Sequence, residues 1–172
     1  MEPISIMLVD DNPSFLRATT QFLEAQDNVI VVGMANGGAE ALEQAPELQP
    51  HVILVDLAMP GIPGLEVIPR LRRLLPHSGI IALTVMNTKS FRKAALDAGA
   101  DAFIPKPAMR TGLLPAIHKM AHNGQGRKEK RESIAIAPDD AVVRRRVLLM
   151  EDDYNQRRLY TRVLRNAGYR VE

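Results

Sequence analysis

The sequence predicts an α/β protein built on a doubly wound parallel sheet. Three features carry that expectation. Short apolar runs alternate with longer stretches of helical period. The runs are continuously apolar, as strands buried on both faces must be. Several of them stop on an acid or another polar residue.

Residues 4–9, ISIMLV, form the first expected strand. Asn12 and Pro13 follow as a helix start, with Asn as N-cap and Pro at the first helical position. Phe15, Leu16, Thr19, Phe22 and Leu23 continue at helical spacing. VIVVGMA (29–35) is the second strand, and Ala39, Leu42 and Ala45 mark a helix that stops before Pro50. VILVD (52–56) is the third strand, followed by a stripe of Leu65, Ile68, Leu71 and Leu75. GIIALT (79–84) is the fourth, and Phe91, Ala94, Ala95 and Ala98 give a helix closed by Gly99. DAFIP (101–105) is the fifth, before a last helical stripe of Leu113, Leu114, Ile117, Met120 and Ala121. Five strands alternating with five helices require parallel pairing, right-handed crossovers and helices on both faces.

The first domain is expected over 1–122 and a charged linker over 123–145, where Gly, Pro and charge are dense, with short helical order around 126–133. Residues 1–118 carry 9 Lys+Arg against 12 Asp+Glu, a net −3, and residues 119–172 carry 13 against 8, a net +5. The basic run at 127–131 and Arg144 to Arg146 offer charge to a nucleic acid, but acids interleave and no aromatic platform accompanies them, which favours a solvated linker. The chain has no Cys, which removes disulfides and thiolate chemistry and fits a cytoplasmic location. No apolar run reaches membrane-spanning length, and the first residues do not read as a signal peptide.

In sheets of this kind ligands bind beyond the carboxyl ends of the strands. Those ends carry Asp10 and Asp11, Asp56, Thr84 and Lys106. Asp10 and Asp11 taken alone would read as caps for the helix at Pro13. With Asp56 and Lys106 at matching ends, they read as a site. Three converging carboxylates repel one another, and a hard divalent cation such as Mg²⁺ relieves that. Lys106 and the Thr84 hydroxyl suit phosphoryl oxygens. Asp56, the central carboxylate, could act as nucleophile and form an aspartyl phosphate.

With those motifs, the stretch DLAMPGIPG (56–64) and the Lys106-Pro107 pair, residues 3–122 resemble the receiver domain of response regulators in two-component signalling. The resemblance implies a flavodoxin-like sheet of order 2-1-3-4-5. It implies Asp56 as phosphoacceptor, Asp11 with Asp10 and the Ala58 carbonyl as ligands of Mg²⁺, and Lys106 pairing with phosphoryl oxygens. Thr84 and Phe103 would form the switch, and the Lys106-Pro107 bond would be cis. The donor would be a histidine kinase or phosphotransfer protein. The output would be a changed surface of helix 4, strand 5 and helix 5, which could also hold a homodimer. Val85, after Thr84, is bulkier than usual for the family and would slow access to the acyl phosphate. The Thr-Val pair resembles receivers that precede LuxR-type DNA-binding domains, so nucleic acid would be met only through an output domain absent from these 172 residues.

The resemblance implies a phosphoacceptor, not a turnover enzyme. One alternative is an interaction module that works unphosphorylated. Another is a haloacid-dehalogenase-like phosphatase, which expects a second Asp two residues after the nucleophile, where this chain has Ala58. His51, His77, His118 and His122 are scattered and read as surface or structural residues.

Residues 146–172 repeat the opening of the chain, with Glu151, Asp152 and Arg158 in the places of Asp10, Asp11 and Arg17. They resemble the first strand, first helix and start of the second strand of another receiver, an incomplete βαβ tail. Nothing in them corresponds to Asp56, Thr84 or Lys106. About 27 residues cannot bury a parallel-sheet core alone.

Overall fold

A computed structural model describes residues 3–130, 146–147, 161, 165 and 170–171. The elements run β1 (Ile4–Val9), α1 (Pro13–Glu24), β2 (Val29–Ala35), α2 (Gly38–Leu48), β3 (Val52–Asp56), α3 (Gly64–Leu74), β4 (Gly79–Thr84), α4 (Lys89–Asp97), β5 (Ala102–Pro105) and α5 (Met109–Lys130). The five strands form one sheet of order β2-β1-β3-β4-β5, as expected, and every adjacent pair is parallel.

Alternation along each strand divides the core. Met7, Val9, Ile53, Val55, Ile80 and Ala82 face α2, α3 and α4. Ile6, Leu8, Val52, Leu54, Ile81 and Leu83 face α1 and α5. A charged side chain within such a strand would be buried on either side, so the acids and the lysine sit at the strand ends or just past them.

Local signals explain the helix boundaries. Asn12 caps α1, its Oδ1 accepting the Ser14 and Phe15 N–H groups at 3.0 and 3.1 Å, and Pro13 takes the first helical position. Gly99, at φ +110°, follows α4 as expected. His51 has a structural role: its Nδ1 accepts the Ser5 N–H at 3.0 Å, joining the start of β3 to β1.

Two expectations change. The last helical stripe, expected to end at Ala121, continues as α5 to Lys130 and takes in part of the helical order expected around 126–133. Helix propagation from a docked first half is cooperative, and Arg127, Lys128 and Lys130 suit a helix C-terminus. The Lys106-Pro107 bond is trans, since no cis peptide occurs among the described residues. Residues 106–108 instead form a 3-10 turn in which the Met109 N–H donates to the Lys106 carbonyl. That helical bond needs trans geometry throughout, and it feeds the chain directly into α5.

Two further short strands, β6 (Arg146–Val147) and β7 (Arg170–Val171), pair with each other in parallel. The second acid pair, Glu151 and Asp152, with Arg158 and most of the linker, lies outside the described residues. No helix among the described residues is long and apolar enough to cross a membrane.

Candidate functional site: an acid cluster bridged by a lysine

Strand register brings the expected residues together. Val9 lies opposite Val55, so Asp10 follows β1 beside the position where Asp56 ends β3. Asp56 is in register with Leu83, one residue before Thr84 ends β4. Thr84 pairs with Pro105, so Lys106 follows at the same edge. β1 and β3 flank the switch in strand order, where the crossovers leave in opposite directions.

The carboxylates of Asp10, Asp11 and Asp56 offer oxygens all within 4.8 Å of one another. Asp10 and Asp56 are buried, and Asp11 is exposed. The Lys106 ammonium bridges the buried pair, donating to Asp10 Oδ2 at 2.6 Å and to Asp56 Oδ2 at 3.0 Å. The second oxygens are also held: Asp10 Oδ1 accepts the Asn12 N–H at 2.9 Å, and Asp56 Oδ1 accepts the Ala58 N–H at 3.3 Å. Asn12, not the acids, caps α1 with its side chain.

Burial raises the Asp56 carboxyl above its ordinary range; Lys106 opposes the rise and the Asp10 charge adds to it. Burial pulls the Lys106 ammonium down, but the charges of Asp56 and Asp10 and their hydrogen bonds outweigh it and the net shift is upward. An exposed ion pair would move the acid down. Here the acid moves up because desolvation exceeds the attraction of a lysine shared between two carboxylates.

Thr84 is fully buried, and its Oγ1 accepts the Met86 N–H at 3.1 Å. Phe103 is buried among residues of α3 and α4, with the Arg92 guanidinium 5.0 Å from its ring centroid. The loop between β3 and α3 is held close to the site by Gly64. A Cβ there would lie 2.1 Å from the Asp56 carbonyl oxygen and 2.8 Å from the Leu57 Cα.

Residues 6–118 match the response regulator receiver domain family. The chain belongs to that family. It is 38% identical over 115 residues to the nitrate/nitrite response regulator protein NarP of Escherichia coli, covering 67% of this chain and 54% of that protein. It is 36% identical over 120 residues to NarL of the same organism, covering 70% and 56%. The chain thus spans about half the length of these relatives. The signal receiver domain of the putative response regulator NarL from Mycobacterium tuberculosis superposes with a TM-score of 0.66 at 31% identity, over 71% of this chain and 98% of that one.

Two features of this receiver were not legible as site features. Phe15, expected only as a core residue of α1, places its ring centroid 4.2 Å from the Lys106 Nζ. The signal was its place in the first turn of a helix that starts right after the acid pair. Arg92, over Phe103, carried no such signal.

Proposed function

We propose that Asp56 of this two-component receiver accepts a phosphoryl group from a phosphohistidine on a histidine kinase or phosphotransfer protein. The observation that carries the proposal is the bridged acid cluster: a lysine shared by Asp10 and Asp56, with Asp11 beside them, at the switch of a parallel sheet.

The donor set is oxygen-only, three carboxylates without Cys or His, which fits a hard cation such as Mg²⁺. Asp10, Asp11 and Asp56, with the Ala58 carbonyl, would hold it, and when bound it supplies neutralising charge to carboxylate and phosphoryl oxygens. The chain's own residues do the rest. The Ala58 N–H and the Lys106 ammonium each hold one oxygen of Asp56, fixing the carboxylate plane. An Asp56 oxygen forms the new O–P bond in line as the N–P bond breaks, and that electron pair leaves on the imidazole nitrogen. Lys106 then pairs with phosphoryl oxygens, and Thr84 donates its hydroxyl proton to one of them. Thr84 movement would alter the packing of Phe103 and the surface of α4, β5 and α5, which relays the signal and offers a homodimer face. The domain acts once per phosphorylation, with slow self-catalysed hydrolysis, and not as a turnover enzyme on a small substrate. DNA is reached only through an output domain of the kind that follows LuxR-type receivers, and the setting is cytoplasmic.

Incubation with Mg²⁺ and acetyl phosphate tests this. The expected result is a mass increase of one phosphoryl group that Asp56→Asn abolishes. No adduct on the wild type would sink the phosphoacceptor reading in favour of a module that works unphosphorylated, and steady release of phosphate from many phosphomonoesters would favour the phosphatase.

Residues 146–172 are read as the opening of a second receiver after a charged linker. The parallel pairing of β6 with β7 supports this, because β1 pairs with β2 in the same sense. Strong hydrogen-exchange protection throughout 146–172 in a monomer would contradict its being an unsupported opening.

A further inference from the structure

Phe15 has no place in the chemistry described so far, yet its ring stands against the cation on which that chemistry depends. The Lys106 Nζ is 4.2 Å from the ring centroid, well inside cation–π range. The two acceptors of that ammonium, Asp10 Oδ2 and Asp56 Oδ2, sit at 2.6 and 3.0 Å. An ammonium has three N–H bonds, and these contacts use two of them. The ring therefore covers a further side of the cation and limits its access to water. The lysine side chain is only 15% exposed.

The ring is itself held. The Phe15 N–H is bound by the Asn12 cap at 3.1 Å, which fixes the first turn of α1. The ring lines a small hollow with Leu8, Leu16, Leu54 and Leu83 and packs against the core face of α1 and α5. Lys106, by contrast, reaches the site on four flexible methylenes from a 3-10 turn on the far side of the sheet order. A flexible cation between two carboxylates gains most from a rigid wall, because the conformations it must give up are already excluded.

We propose that Phe15 is a positioning residue for Lys106: its aromatic face holds the ammonium on the Asp10–Asp56 edge so that the lysine is in place when a phosphoryl group arrives. This rests on Asp56 being the phosphoacceptor. Phe15 touches no reacting atom and acts only through Lys106.

The test separates electrostatics from packing. Phe15 is replaced in the full chain by 4-fluoro-, 3,5-difluoro- and 3,4,5-trifluorophenylalanine, which keep ring shape and progressively remove the negative face, with Phe15→Leu as a further variant. Two quantities are read. The first is the NMR position of the Lys106 ε-methylene protons, expected upfield in the wild type from the ring current and back at the ordinary lysine position in Phe15→Leu. The second is the initial rate of labelling by acetyl phosphate with saturating Mg²⁺, expected to fall stepwise with fluorination to about threefold below wild type, the scale of a partly exposed cation–π contact. An ordinary ε-proton position in the wild type overturns the contact. An upfield position with a labelling rate indifferent to fluorination overturns the positioning role. Absence of labelling in the wild type overturns the phosphoacceptor reading and the role in transfer together, while the ε-proton position still decides the contact.

Discussion

Replacing Lys106 with Met tests how much of the site's arrangement is held by its charge. Lys106 donates to Asp56 at 3.0 Å, and both side chains are more than four-fifths buried. At an effective dielectric of 20 such a contact is worth about 5 kcal/mol of Coulomb attraction. Desolvation of an ammonium offsets several kcal/mol of that. A net contribution of about 2 kcal/mol from the Lys106 ammonium follows, and urea denaturation of wild type, Lys106→Met, Asp56→Asn and the double variant as a cycle separates the part that depends on Asp56. Lys106→Met should lower Tm by about 6–12 °C near neutral pH, and the loss should shrink in the Asp56→Asn background.

The pH dependence has a defined sign. The Asp56 carboxyl is already raised, and loss of Lys106 removes a group that lowers it, so the variant's Asp56 moves further up. An acid raised on folding costs stability when ionised. The Lys106→Met deficit should therefore narrow as pH falls from neutral through the Asp56 titration towards 3.8, the ordinary value. On the alkaline side the wild type should converge on the variant. Lys106 is raised from 10.5, so its contribution is full below that pH and is lost as pH rises through the higher native value. A deficit that stays constant from neutral pH down to 3.8, or unchanged in the Asp56→Asn background, would refute the coupling.

Gly64→Ala should cost about 2–3 kcal/mol, because its Cβ meets backbone at 2.1 Å, whereas Gly61→Ala meets open space and pays only for its φ of +76°, about 1 kcal/mol; midpoints of urea unfolding at constant slope distinguish the two. Arg72→Ala should destabilise by about 3 kcal/mol in the same assay, since the Arg72 guanidinium binds the Gly99 and Ser78 carbonyls and pairs at 2.5 Å with a largely buried Asp101. Val85, 58% exposed beside buried Thr84, should slow water's approach to an acyl phosphate; Val85→Ala is expected to speed decay of the mass adduct severalfold, and an unchanged half-life would remove Val85 from that role.

The fold was legible because its signals are local. Continuous apolar runs, the Asn12-Pro13 start and Gly99 each act within a few residues, and β1 to β5 and α1 to α4 form where those signals place them. The acid and lysine positions were legible for a related reason. A strand buried on both faces excludes charge along its length, so Asp10, Asp56 and Lys106 mark where β1, β3 and β5 stop. The remainder depends on encounters between distant residues. Arg72 meets Asp101 across 29 positions, and Phe15 meets Lys106 only after the sheet closes. The trans bond before Pro107 is set by the 3-10 turn that joins β5 to α5, and the length of α5 by propagation from its docked half.

The same distinction explains why an acid-tipped strand is not itself a site. Asp10 gains its chemistry from Asp56 and from Lys106, which is 96 residues away in sequence and one ion pair away in space. The sheet order supplies that proximity: β1 and β3 are neighbours, and β5 returns its lysine to the edge they share. Glu151 and Asp152 repeat the local signal, an acid pair after an apolar run, and that signal by itself brings neither a nucleophile nor a lysine to them. An acid pair without its lysine is a cluster of repelling charges. With it, burial and attraction oppose one another at Asp56, and on the proposed function a phosphoryl group at Asp56 would draw the lysine from Asp10 to a phosphoryl oxygen, which would convert a chemical event at one carboxylate into a change at β5.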